Sequence, residues 1–136
     1  MDSTAPLTLY IVEDSADIQA RLARELAGVP GLKVVGVADD VQPAIAGLLA
    51  LRPDAAIVDL GLPHGSGLEV LRAVREALPD LQVVVFTNFS SEPYRAAALH
   101  AGAREFLDKS DDFPRLRPLI ERWSALHHND SPRSAS

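Results

Sequence analysis

The chain has 136 residues, of which 47% are hydrophobic and 24% are charged, and its formal net charge is −6 at pH 7. This size and composition are typical of one globular domain. The absence of cysteine excludes a disulfide framework and thiolate chemistry, and the acidity argues against a nucleic-acid-binding surface, which would need clustered Lys and Arg.

The first six residues are predicted to be a short lead into the domain. They lack the basic flank and apolar core of a secretory signal. No apolar run in the sequence approaches the ~20 residues that are needed to cross a bilayer. We therefore expect a cytoplasmic location and no membrane partner.

Short apolar runs rich in β-branched residues alternate with segments of helical spacing. In chain order, strands are predicted at 7–12, 33–38, 55–58, 81–86 and 105–107, and their apolar character favours burial on both faces. The helices between and after them place these residues on one face: Ile18, Leu22 and Leu26; Ile45, Leu48 and Leu49; Leu71, Val74 and Leu78; and Leu116, Leu119, Ile120 and Trp123. The fourth helix, at 93–101, has Pro93 in its first turn and stops at Gly102.

This alternation predicts an α/β fold with a five-stranded parallel, doubly wound sheet and helices on both faces. The domain is expected to occupy residues 7–126. Residues 127–136 show no apolar periodicity and are predicted to be a disordered tail or the beginning of a linker. In sheets of this kind, ligands bind at the carboxyl ends of the strands.

Polar side chains follow four of the five predicted strands: Glu13 and Asp14, Asp59, Thr87 and Lys109. Each alone has an ordinary explanation, since an aspartate at a strand end usually caps a turn or helix and a lysine is usually solvated. Their joint occurrence on one edge of the sheet is specific. Clustered carboxylates repel unless a cation compensates them, and their oxygens suit Mg²⁺, which commonly combines carboxylates with a phosphate.

The set therefore predicts metal-assisted phosphoryl chemistry. Asp59 is expected to act as the nucleophile that gives an aspartyl phosphate. Asp14 is expected to hold Mg²⁺ directly, Glu13 directly or through water, Asp59 through its carboxylate and Gly61 through its backbone carbonyl.

Two further side chains are expected to act on the transferred group. The Lys109 ammonium would share with the metal the neutralisation of charge on the phosphoryl oxygens. The Thr87 hydroxyl would donate a hydrogen bond to the same group.

The sequence closely resembles the receiver domains of bacterial two-component systems, in the stand-alone architecture of the chemotaxis receiver, from Leu7 to about Leu126. The motifs that carry the resemblance are residues 10–14 (YIVED), 53–59 (PDAAIVD), 60–67 (LGLPHGSG), 83–87 (VVVFT) and 101–109 (AGAREFLDK). The resemblance implies a flavodoxin-like strand order of 2-1-3-4-5. It also implies that Asp59 accepts a phosphoryl group from a histidine kinase or a histidine phosphotransfer protein.

The same resemblance predicts a switch and an output. Thr87 and Phe106 are the expected switch residues, and the fourth helix, fifth strand and fifth helix form the expected face for a downstream protein target. Only self-phosphorylation and autodephosphorylation are expected as activities, in a monomer or weak homodimer.

Three departures from the family pattern carry consequences. Ser110 stands where many relatives have proline after the lysine, which leaves the isomer of the Lys109–Ser110 peptide open. Phe106 stands where many have tyrosine, so no hydroxyl can hold this ring outside and its inward state is favoured. Gly61 and Phe89 occupy the positions that would orient a hydrolytic water, and neither has a polar side chain, which predicts a long-lived phosphorylated state.

Alternative functions fit less well. An aspartyl-phosphate phosphatase would need a second acid where Gly61 stands, and the acidic pair Glu13-Asp14 would repel a flavin phosphate. Gly67 is followed by Leu68-Glu69, unlike a nucleotide P-loop. A pseudo-receiver that is not phosphorylated remains an alternative, although the acidic, hydroxyl and lysine residues are all present.

Overall fold

The computed structural model describes residues 5–129. In chain order its elements are β1 (Leu7–Val12), α1 (Ala16–Leu26), β2 (Leu32–Ala38), α2 (Val41–Leu51), β3 (Ala55–Val58), β4 (Gly61–Leu62), β5 (Gly65–Ser66), α3 (Gly67–Val74), β6 (Gln82–Thr87), α4 (Glu92–His100), β7 (Glu105–Asp108) and α5 (Phe113–Asn129). Among these helices, none is both long and apolar enough to span a membrane.

Five strands form one parallel sheet in the order β2-β1-β3-β6-β7. The predicted order 2-1-3-4-5 is confirmed, because β4 and β5 form a separate antiparallel hairpin that follows β3 and shifts the numbering of the last two strands. Sequence periodicity could not reveal this hairpin, whose strands are only two residues each.

The sheet separates two apolar clusters. The first includes residues of α2, α3 and α4, such as Leu48, Val70 and Ala98. The second includes residues of α1 and α5, such as Leu22 and Trp123. Helices on both faces of a parallel sheet bury the strands between them, which explains why all four residues of β3 are buried.

Two burial predictions are wrong in part. The second strand is not buried on both faces: β2 is an edge strand, and its Val34 and Val37 are 41% and 47% exposed. On α2, Leu49 was assigned to the inner face but is 38% exposed, whereas Leu48 is fully buried. The strand β2 has a neighbouring strand on one side only. Leu49 lies about 100° around α2 from the buried Leu48, which turns it away from the core.

The last helix is longer than predicted. The predicted domain ends at Leu126, whereas α5 continues through His127 and His128 to Asn129. The His128 ring packs where a side chain at Gly31 would otherwise lie, and its Nδ1 is 2.8 Å from the carbonyl oxygen of Ser124. These contacts supply tertiary support that the apolar pattern did not indicate; the remainder of the predicted tail, 130–136, lies outside the described residues.

Candidate functional site

The backbone ladders of the sheet position the predicted site residues. The N–H of Glu13 donates to the carbonyl of Ala38 at 2.9 Å, and the N–H of Asp59 donates to the carbonyl of Val12 at 3.0 Å. These hydrogen bonds extend the parallel pairing one residue beyond β1 and β3. The carboxylates are therefore held by the rigid sheet before the chain turns into a loop.

Three carboxylates meet at this edge. The side-chain oxygens of Glu13, Asp14 and Asp59 offer ligand atoms within 4.8 Å of one another. Glu13 and Asp59 are 1% and 6% exposed, while Asp14 is exposed. The arrangement brings two buried acids and one solvent-facing acid to a single position that could hold a metal ion.

Lys109 bridges the two buried acids. Its Nζ lies 2.7 Å from Oε1 of Glu13 and 2.9 Å from Oδ2 of Asp59. Burial by itself lowers the pKa of Lys109, but hydrogen bonds and charge from Glu13 and Asp59 outweigh it and raise the pKa above its ordinary value. The lysine therefore stays cationic in the site.

Glu13 is the most strongly buried acid of the site. Burial raises the pKa of its carboxyl, and the Asp59 charge acts in the same direction. The Lys109 ammonium and the N–H of Ser15, which donates to Oε2 at 3.0 Å, oppose this rise. One ammonium cannot neutralise three carboxylates, so a divalent cation matches the remaining negative charge.

The hydroxyl of Thr87 occupies a second position at the same edge. Thr87 is the last residue of β6 and is fully buried. Its Oγ1 accepts a hydrogen bond from the N–H of Phe89 at 3.1 Å, which leaves the hydroxyl hydrogen available for donation. The structure thus places Thr87 at the end of the neighbouring strand, where its hydroxyl oxygen accepts a hydrogen bond from the following loop.

Phe106 lies one step back from the edge, on β7. Its ring is buried, at 6% residue exposure, in the cluster beneath α4, and its backbone pairs with Val85. The guanidinium carbon of Arg95 stands 5.8 Å from the ring centroid. The Phe106 ring therefore lies inside the core in this structure.

Gly61 and Phe89 contact each other, which the sequence did not indicate. The N–H of Gly61 donates to Oδ1 of Asp59 at 3.2 Å. A Cβ atom at Gly61 would come within 2.5 Å of Cε2 of Phe89, so the ring covers this glycine. Phe89 also packs on Tyr94 with ring centroids 5.4 Å apart and remains 47% exposed; its position is both a cover on the site and part of the surface.

The peptide after Lys109 is also defined. All peptide bonds of the described residues, including Lys109–Ser110, are trans. The loop is shaped by aspartates: the N–H of Ser110 donates to Oδ1 of Asp108 at 2.7 Å. The sequence pattern gave no role to Asp108, although an aspartate often forms a turn by accepting a hydrogen bond from the backbone N–H two residues later.

The chain is similar in sequence to one protein family and to several curated proteins. The family model of the response regulator receiver domain matches residues 9–121. The chain is 35% identical over 74% of its length to the transcriptional activator DevR/DosR of Mycobacterium tuberculosis, covering 46% of that protein. It is 31% identical over 95% of its length to the response regulator GacA of Pseudomonas viridiflava, covering 60% of it. The chain thus spans about half the length of these relatives.

Solved structures show the same fold. The response regulator domain of Thermotoga maritima CheB superposes with a TM-score of 0.79 at 25% identity, covering 93% of this chain and 99% of that one. A LuxR-family two-component response regulator from Aurantimonas superposes with a TM-score of 0.81 at 27% identity, covering 89% and 86%. The extent of the family match and the arrangement of strands and carboxylates lead to one conclusion: this chain belongs to the receiver-domain family of response regulators.

Proposed function

We propose that this receiver domain accepts a phosphoryl group on Asp59 in a reaction that depends on Mg²⁺. The observation that carries the proposal is the salt bridge of Lys109 to Oδ2 of Asp59, 2.9 Å long, beside two further carboxylates. Such a site holds a nucleophilic oxygen, a fixed cation and excess negative charge in one place. It therefore supports attack on a phosphoryl donor once a divalent cation is bound.

In this mechanism each residue has a separate task. The carboxylates of Asp14, Glu13 and Asp59 would hold the metal. Gly61 would be a further ligand through its backbone carbonyl. After transfer, the Lys109 ammonium would pair with an oxygen of the phosphoryl group on Asp59. Thr87 would donate its hydroxyl hydrogen to a phosphoryl oxygen. Bound Mg²⁺ would supply charge neutralisation for the transferred group.

The donor is proposed to be a histidine kinase or a histidine phosphotransfer protein. After transfer the chain would act as a switch, and its only activities would be self-phosphorylation and autodephosphorylation. This proposal is preferred over a phosphatase because Gly61 offers no side chain as a general acid. It is preferred over a pseudo-receiver because Lys109 and the carboxylates are assembled in contact.

Labelling by a small donor tests the assignment without the kinase. Wild-type protein, incubated with acetyl phosphate and Mg²⁺, should gain the mass of one phosphoryl group. Asp59→Asn should show no gain, while Asp80→Asn, which changes an exposed aspartate outside the site, should be labelled like wild type. A phosphoryl adduct on Asp59→Asn at the wild-type level would overturn the assignment.

We further propose that the output face is formed by α4, β7 and α5. Thr87 and Phe106 lie on neighbouring strands, β6 and β7, so a shift of the Thr87 hydroxyl toward the phosphoryl group would free space beside the ring. Of the nine residues of α4, only Ala98 is fully buried, so this helix is weakly anchored. NMR spectra with and without beryllofluoride should show shifts on this face; changes confined to α1 and α2 would contradict it.

A further inference from the structure

The loop between β7 and α5 positions the Lys109 ammonium in the site. Lys109 is the first residue after β7, and its side chain is only 9% exposed. On one side its backbone is fixed, because its N–H donates to the carbonyl of Thr87 at 3.0 Å. On the other side the chain turns through residues 110–112 without a proline to stiffen it.

Two aspartates close this turn around the lysine. Oδ1 of Asp108 accepts from the N–H of Ser110 at 2.7 Å, and Oδ2 of Asp112 accepts from the N–H of Asp108 at 2.9 Å. The N–H of Asp112 returns to the carbonyl of Asp108 at 2.8 Å. Hydrogen bonds to carboxylates are shorter and stronger than neutral ones. The carboxylate of Asp108 therefore holds the backbone after Lys109, and the carboxylate of Asp112 holds the backbone before it.

Asp108 also lies beside the end of the strand that carries Thr87. It pairs with Thr87 in the register of β6 and β7, and the N–H of the next residue, Lys109, donates to the carbonyl of Thr87 at 3.0 Å. In the loop that follows Thr87, the N–H of Phe89 donates to Oγ1 of Thr87. Asp108 thus adjoins the two residues whose side chains are directed at the phosphoryl position.

We propose that Asp108 is a positioning residue for phosphoryl transfer, which fixes the turn from which Lys109 reaches Asp59. The inference rests on the function proposed above. The lysine stem has four rotatable bonds, and its ammonium stays between Glu13 and Asp59 only while its backbone is fixed. A displacement of about 1 Å of a reacting or stabilising group can slow a reaction by up to about 100-fold.

The initial rate of labelling by acetyl phosphate at saturating Mg²⁺ tests this role. Asp108→Ala should be labelled about five- to tenfold more slowly than wild type, a fraction of that limit. Asp108→Asn keeps an oxygen that accepts from Ser110 and should retain a rate near wild type. Asp111→Ala, a change of the same charge at an exposed position of the same turn, is the matched control and should be labelled normally.

A double-mutant cycle separates positioning from general destabilisation. Lys109→Ala should itself be labelled more slowly than wild type. If Asp108 acts through Lys109, adding Asp108→Ala to this variant should not reduce the labelling rate further. An equal slowing in both backgrounds would refute the positioning role, and so would a wild-type rate for Asp108→Ala. Should Asp108→Ala fail to fold, Asp112→Ala replaces it, because it removes the acceptor that holds the N–H of Asp108 in the same turn, and a wild-type rate there would likewise count against the proposal. No labelling of the wild-type protein would instead overturn the proposed function and this inference together.

Discussion

Replacing Gly61 with asparagine should shorten the lifetime of the phosphorylated state. Hydrolysis needs a water in line with the Asp59 phosphoryl bond, and orienting that water contributes substantially to lowering the barrier. Gly61 has no side chain, and the Phe89 ring covers it without offering a donor or acceptor. An asparagine amide at residue 61 would bring a polar group to the position that now lacks one.

The structure determines how much this substitution disturbs. Gly61 is not among the glycines with positive φ, so its backbone suits an L residue and no left-handed conformation has to be tolerated. The obstacle is the Phe89 ring, 2.5 Å from the new Cβ atom, which has to move by roughly 1 Å to reach an ordinary contact. Because the ring is 47% exposed, its displacement loses at most the pairing with Tyr94, about 0.5–1.5 kcal/mol.

We expect Gly61→Asn to lose its phosphoryl group about fivefold faster than wild type, which corresponds to about 1 kcal/mol in the barrier. The assay is the decay of the phosphorylated mass after removal of acetyl phosphate, with Mg²⁺ present. Phe89→Ala is the matched control: it removes the same ring contact but adds no polar group, so it isolates the effect of uncovering the site. Decay of Gly61→Asn at or below the wild-type rate, with labelling intact, would refute the reasoning, and so would equal acceleration in Phe89→Ala.

Three further changes probe the same edge of the sheet. Asp14→Ala should abolish the Mg²⁺ dependence of labelling, measured by intact mass over a Mg²⁺ titration; unchanged dependence would refute its role as a ligand. In metal-free protein, burial raises the pKa of Glu13 above 4.5, so the folded state binds this proton more tightly than the unfolded state and stability should fall as pH rises through the folded pKa. Urea unfolding with EDTA should show a smaller fall for Glu13→Gln, and equal slopes would contradict this assignment. Gly67→Ala should be destabilised by about 1–3 kcal/mol, because the new methyl group would overlap the backbone oxygen of Asp59. The measurement is the urea concentration at the midpoint of unfolding, and a midpoint equal to that of wild type would show that α3 shifts freely.

The sequence alone determined the fold and the main site residues. Short β-branched runs and helical spacing are local patterns, and their alternation implies a parallel sheet whose carboxyl ends share an edge. Glu13, Asp59 and Lys109 were identified because each follows a strand, and the structure brings all three into contact. Inference of this kind succeeds where function depends on position in a regular element.

Tertiary structure decided what depends on neighbours that are distant in the chain. The exposure of Val34 on the edge strand β2 is not shown by the composition of the strand, and even the strand order that the family resemblance implied does not say how far the helices cover it. The last turn of α5 is supported by packing of His128 on Gly31, almost a hundred residues earlier in the chain. The cover of Phe89 over Gly61 is a contact between the loop after β6 and the two-residue strand β4, and hydrophobic periodicity records the course of neither.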